Sequence, residues 1–273
     1  MKCYFCGLPS RKYLEAKNRT LFYCSGCSLI FAEKKNQSIL PKTDFINEYL
    51  EERDSFNDYF RKKIDLIEKY KEPYFLLDVG CGAGVFLSCA KKRGWKVLGI
   101  DLSEDAVKYT KAKGLNVNKV SLEDLKPKEK YDVITVFQTI EHIPDPIKFL
   151  EKARSLLKDS GVLFLTTPSR DDFLGKLMGK KWFGYYNLEH LFFFDKKSME
   201  ILLKKSGFTK ISVVKEKGRM LGFPWILSRL FSYYYTNDFI KTLFYKSRPI
   251  WQRLDFIKIQ DPSTNLVALA IKD

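Results

Sequence analysis

LLDVGCGAGVF, residues 76–86, decides the architecture of this chain. Tyr74 to Val79 is an apolar run of strand length, and Val85 to Lys92 reads as a helix. Between them Gly80, Cys81, Gly82, Ala83 and Gly84 form a tight turn with glycine at alternate positions. Glycine permits φ > 0 and lets a ligand lie against bare main chain. Amides opening the following helix would face that ligand. A dinucleotide fold uses G-x-G-x-x-G to seat a pyrophosphate. Here the spacing is G-x-G-x-G, with Asp78 two residues before the first glycine. An acid there repels a pyrophosphate but suits a ligand carrying an ammonium and a sulfonium. Asp101 ends the next predicted strand, Lys96 to Asp101, where a carboxylate can accept both hydroxyls of a ribose.

These residues resemble motif I and the acidic loop of class I S-adenosylmethionine (SAM) methyltransferases. The resemblance implies a Rossmann-like α/β fold, with a seven-stranded sheet covered by helices on both faces. It also implies a SAM site at Asp78, Gly80, Cys81, Gly82, Gly84, Asp101 and Leu102. Ser121 and Leu122 should border the adenine, and Phe137 and Gln138 the methionine end.

Outward from the loop, predicted strands and helices alternate. The strands are 75–79, 96–101, 116–120, 132–137, 162–167, 210–215 and 265–272. Helices are expected at 84–93, after Ser103 with Glu104 and Asp105 in its first turn, at 147–158 and at 196–206. Such alternation implies a sheet covered on both faces. Resemblance implies that the last strand is antiparallel. Ahead of the loop, 44–71 reads as a helix broken near Ser55, whose Tyr49 or Tyr59 is a candidate lid over the donor. Two segments exceed this scheme, 168–195 and 218–262; the first is placed to roof an acceptor pocket.

Cys3-x-x-Cys6 and Cys24-x-x-Cys27, seventeen residues apart, match the spacing of a structural zinc site. Four thiolates close a tetrahedral shell, so this metal stabilises residues 1–33 and does not catalyse. Cys81 and Cys89 fall outside the pattern and read as small packed residues. The expected organisation is a zinc-binding module at 1–33, linker and lid helices at 34–73, and a catalytic domain at 74–273. The start of the chain has no signal-peptide core and no apolar run reaches membrane-spanning length, which predicts a cytoplasmic protein.

The chain has two histidines, and each follows a glutamate: Glu141-His142 and Glu189-His190. The first lies in FQTIEHIPDP (137–146), similar to the motif after the fourth strand of ubiquinone-type methyltransferases. The second lies in WFGYYNLEHLFFFDKKSMEILLKKSGF (182–208), which resembles zinc-ribbon methyltransferases of polysaccharide, lipid and deoxysugar pathways. In the sugar C-methyltransferases a Glu-His pair at the second position is implicated as base and orienter. Those enzymes place a tyrosine two residues before the glutamate, where this chain has Asn187. The resemblance implies His190, Glu189 and His142 as catalytic candidates, with a small-molecule acceptor such as a nucleotide-linked sugar, glycan or lipid precursor.

Two other functions compete. A net charge of +15, from 48 basic and 33 acidic residues, would suit an RNA methyltransferase with a zinc module. Against it, Phe137-Gln138-Thr139-Ile140 is not the D/N-P-P-Y/F motif of exocyclic-amine methylases, and the lysines are scattered. An inactive SAM-binding docking protein is the third reading. Residues 218–262 hold eleven aromatic and seven basic residues, a mixture suited to a packed lid, a dimer surface or peripheral membrane contact.

Overall fold

The computed structural model describes residues 1–16, 19–33, 46, 49–50, 52–222, 258–261 and 263–273. Most of the aromatic segment 218–262, and residues 34–45 of the linker and lid region expected at 34–73, lie outside the described residues.

The main sheet has seven strands. β4 (Phe75–Val79), β5 (Lys96–Asp101), β6 (Val117–Lys119), β7 (Tyr131–Phe137) and β8 (Leu157–Pro168) run parallel. β13 (Thr264–Ile271) lies antiparallel between β8 and β10 (Lys210–Lys217), so the order is β10-β13-β8-β7-β4-β5-β6. The reversal of order at β4, between β7 and β5, makes the crevice that open α/β sheets use for ligands.

Apolar side chains alternate to the two faces, as the pleat requires. One face buries Leu76, Val97, Val133 and Phe164 under α1 (Arg53–Ile67), α2 (Val85–Lys92) and α3 (Glu104–Ala112). The other buries Leu77, Leu98, Ile134 and Leu163 under α4 (Pro146–Leu156) and α6 (Lys196–Lys205), with α5 (Phe173–Met178) in the loop after β8. Ser103 caps α3 by accepting from the Ala106 N–H, as its position predicted. Ahead of the glycine loop, α1 starts at Arg53, and its Phe60 packs on Phe86 of α2 and on Phe137, with ring centroids 5.6 and 5.1 Å away.

The largest boundary shift lies between α4 and β8. The helix expected over 147–158 stops at Leu156, and β8 begins at once rather than at Val162. Leu157 is already paired with Tyr131, and Ser160 at φ 57° makes the irregularity that the main chain of Lys272 bridges on both sides.

Residues 1–33 form strands β1 (Arg11–Ala16), β2 (Arg19–Tyr23) and β3 (Ile30–Ala32). They do not stand apart from the rest of the chain. β3 pairs with β9 (Phe192–Phe193), so a segment after β8 supplies the fourth strand of the module's sheet. Phe5, Phe31 and the buried cysteines share one core cluster with Phe192, Phe194 and the main sheet. Arg170 joins Asp195 and Ser28 in a buried ion-pair network across the same boundary. A short hairpin, β11 (Met220–Gly222) with β12 (Lys258–Gln260), flanks the undescribed segment. Among the described residues, no helix is long and apolar enough to cross a membrane.

Candidate active site

The glycine loop is set by the strands around it. The Gly80 and Cys81 N–H groups donate to the Ile100 carbonyl at 2.9 and 3.1 Å, tying the loop to β5. Gly80, Gly82 and Gly84 all have positive φ, at 73°, 50° and 69°. At two of them space also excludes a side chain. A Cβ on Gly80 would lie 2.5 Å from Thr139 Oγ1, and one on Gly84 2.4 Å from Thr110 Cγ2. Gly84→Ala should therefore cost at least about 1–2 kcal/mol, through backbone strain and crowding together. Urea denaturation reads this directly, and an unchanged midpoint would contradict the geometry. Gly84 is also the N-cap of α2 and offers no side-chain cap, so the first-turn amides are left for a ligand.

Asp101 accepts from the Gly82 N–H and the Ser103 N–H, both at 2.8 Å. A carboxylate has about four acceptor positions, so two remain for a ribose diol. Leu102 beside it is exposed. Ser121 is partly exposed and caps the turn at Asp124, while the Leu122 side chain is buried in the core, leaving its main chain for a ligand. Phe137 is likewise buried, against Phe60, Phe86 and Phe164. Gln138 is exposed and takes φ 49°, a conformation costly for a side chain with a Cβ, and its amide donates to Thr166 Oγ1 and Asn265 Oδ1. Cys81 is buried, as a packed residue should be.

Asp78 is buried and accepts from the Thr135 hydroxyl at 2.7 Å. Burial pushes its carboxyl up to about 7, with the Asp101 charge adding to the rise and the Thr135 hydrogen bond opposing it. Between the ordinary 3.8 and about 7 the native state therefore holds more protons than the unfolded state. The stability that Asp78 confers is full below that window and lost as pH rises through it. Asp78→Asn should abolish this fall; urea midpoints at pH 5 and 8 test it, and an undiminished difference between them would count against the assignment.

The two Glu-His pairs, 47 residues apart in sequence at His142 and Glu189, meet in space. The 3-10 turn Ile140–His142 begins at Thr139, the residue that crowds Gly80, so His142 stands beside the glycine loop. The His142 and His190 rings lie 4.9 Å apart at 78°. His142 Nδ1 is 3.0 Å from the Glu189 carbonyl oxygen. A carbonyl only accepts, so Nδ1 is the donor of this pair. Asn187 has a local role: its side-chain oxygen accepts from the Glu189 N–H at 3.0 Å, closing the turn that presents Glu189 and His190. Tyr185, by contrast, is buried among Trp182, Tyr13 and Phe193, and burial pushes its phenol well above the usual range.

Glu141 is buried, accepts from the Thr167 hydroxyl at 2.9 Å, and is pushed up by desolvation. Its carboxylate and both imidazoles place ligand atoms within 4.8 Å of one another, close enough to share a cation. Burial raises the cost of the Glu141 charge, and Thr167 already occupies one of its carboxylate oxygens.

The sulfurs of Cys3, Cys6, Cys24 and Cys27 also lie within 4.8 Å of one another, with Cys3–Cys27 at 3.4 Å and Cys6–Cys24 at 3.3 Å. Tetrahedral zinc thiolates sit about 3.8 Å apart, so this donor set fits such an ion. The Cys27 thiol holds Cys3 down at about 5, so one thiolate is already stabilised.

Residues 49–213 match a methyltransferase-domain family. The chain belongs to that family. Among curated relatives, a ubiquinone biosynthesis O-methyltransferase of Actinobacillus pleuropneumoniae serotype 7 (strain AP76) is 34% identical over 123 residues, 40% of this chain and 53% of the relative. One from Histophilus somni (strain 2336) is 38% identical over 107 residues, 35% of this chain and 45% of the relative. The chain thus spans about half the length of these relatives. The methyltransferase fold is also that of solved proteins. A SAM-dependent methyltransferase from Archaeoglobus fulgidus superposes with a TM-score of 0.56 at 22% identity, covering 84% of this chain and all of that one. The plantazolicin methyltransferase BpumL, solved in complex with SAH, gives 0.57 at 18% identity, covering 85% and 91%. At these identities the likeness establishes the fold alone.

Within this methyltransferase fold, Arg19, Thr139, Thr110 and the Arg170–Asp195 pair shape the site without having been expected from the sequence. Their partners are remote in the chain, and no local pattern marks them. Gln138 was expected, though not its left-handed backbone.

Proposed function

We propose that this chain is a SAM-dependent methyltransferase that acts on a hydroxyl or carbon acid of a small molecule, in the class of sugar, glycan or lipid precursors. The observation that carries the reading is the meeting of His142 and His190, with His142 on the short turn that follows Thr139, the residue crowding Gly80. Bound SAM supplies an electrophilic methyl and leaves as a neutral thioether, so no acid is needed at the sulfur. As the S–CH3 bond breaks and the new O–CH3 or C–CH3 bond forms, the acceptor's proton passes to an imidazole, with His190 as the base. Glu189 and His142 orient it. Gly80, Gly82 and Gly84 cradle the donor, Asp101 takes the ribose, and the α1 helix excludes water. Small-molecule O-methylation is also what the relatives' names state of those proteins.

Acceptor fractions incubated with methyl-labelled SAM test this reading. Label in nucleotide-linked sugars, glycans or lipid precursors supports it; label confined to RNA favours the competing one. Segment 218–262 stands as a proposed lid, dimer or membrane-contact surface, and liposome flotation separates the last from the others.

We further propose that Cys3, Cys6, Cys24 and Cys27 hold one structural zinc per chain. Metal analysis should find about one zinc, lost in Cys24→Ser. Well-folded protein without metal would contradict this.

A further inference from the structure

Arg19 lies in β2 of the cysteine module, yet its guanidinium serves a loop 166–171 residues later. Nη1 donates to the carbonyls of His190 at 2.7 Å and Leu188 at 3.2 Å. Nη2 donates to those of Tyr185 at 2.8 Å and Asn187 at 2.5 Å. The Phe193 ring stands 5.4 Å from the guanidinium carbon. Burial pulls this group down only to about 10, so it stays cationic at neutral pH. Four carbonyl dipoles aimed at one point repel each other unless a cation sits there. The turn that presents Glu189 and His190 is therefore closed around the Arg19 charge.

The next residue is held from the same module. The Ala32 N–H of β3 donates to the Leu191 carbonyl, and the Leu191 N–H donates to the Glu141 carbonyl, both at 2.8 Å. One continuous main-chain path thus joins the module, the His190 loop and the turn that carries His142. Backbone pairing of β1, β2 and β3 does not use the Arg19 side chain, so the module's sheet survives its removal.

We infer that Arg19 is a positioning residue: the cysteine module uses it to hold His190 against His142 in the geometry that methyl transfer needs. The role in transfer rests on the acceptor-site reading of His190 above; the clamp itself does not. A displacement of about 1 Å in a reacting group can cost 10²-fold in rate. Arg19→Ala should accordingly lower kcat by about 10–100-fold, while the KM for SAM is unchanged.

The chain has only two histidines, which gives a test that needs no acceptor. In full-length protein with labelled histidine, proton NMR should show a cross-peak between the two imidazoles. Arg19→Ala should abolish it. Arg19→Lys, which keeps the cation, should retain it, and SAM affinity should be unaltered in both. If Arg19→Ala does not fold, Arg19→Gln removes the charge at similar size and gives the same readout. An unchanged cross-peak in a folded, uncharged variant overturns the clamp. A lost cross-peak with undiminished kcat overturns the positioning role. If His190→Ala is equally harmless, the acceptor-site reading falls with it.

Discussion

His190→Ala is expected to lower methyl transfer by about 10²–10⁴-fold, the range for loss of a general base, and to leave SAM affinity intact. The separation follows from the architecture. His190 belongs to a loop braced by Arg19 and β3, whereas the donor site is built from β4, β5 and α2. The turn that follows Thr139 links them, since Thr139 crowds Gly80 and the Glu141 carbonyl accepts from the Leu191 N–H. Initial rates at saturating SAM, with calorimetry for donor affinity, make the measurement. A parallel loss of SAM binding would mean that His190 holds the fold of the site instead of performing chemistry. His142→Ala should also reduce turnover, because the Glu189 carbonyl would lose its donor and the neighbouring turn its anchor.

Asp101→Ala should weaken SAM binding by roughly 2–4 kcal/mol, the value of a charge-assisted hydrogen-bond pair. That corresponds to about 30- to 1000-fold in Kd. The structure adds a second contribution, since the same carboxylate holds the Gly82 and Ser103 amides. Removing it frees the Gly82 amide and leaves the loop tied to β5 by the Gly80 and Cys81 amides on the Ile100 carbonyl. Asp101→Asn keeps one acceptor oxygen and should lose less. Calorimetry showing equal affinity in wild type and Asp101→Ala would contradict the ribose assignment.

The main sheet was legible in the sequence because its signals are local. Gly80, Gly82 and Gly84 between an apolar strand and an amphipathic helix announce the turn, and Ser103 announces the cap that forms. The cysteine spacing likewise foretold four sulfurs that converge. What escaped was long-range. β9 is two residues long and exists because it pairs with β3, about 160 residues earlier, and such pairing leaves no periodic trace. The zinc spacing carried no sign that Phe5 packs on Phe192, or that Phe31 shares a core with it. The candidate histidines were visible as two Glu-His pairs, but their 4.9 Å contact was not. Asn187 looked like a departure from the sugar-methyltransferase pattern, and in the structure it closes the Glu189 turn.

The central claim is that donor and acceptor meet where the glycine loop faces the two histidines, on a small molecule. The most direct measurement supplies methyl-labelled SAM to the purified chain with a small-molecule extract and, separately, with total RNA. The account predicts label in the small-molecule fraction, suppressed in His190→Ala protein that still binds SAM. Label in RNA alone, or undiminished transfer by the His190→Ala protein, would contradict it.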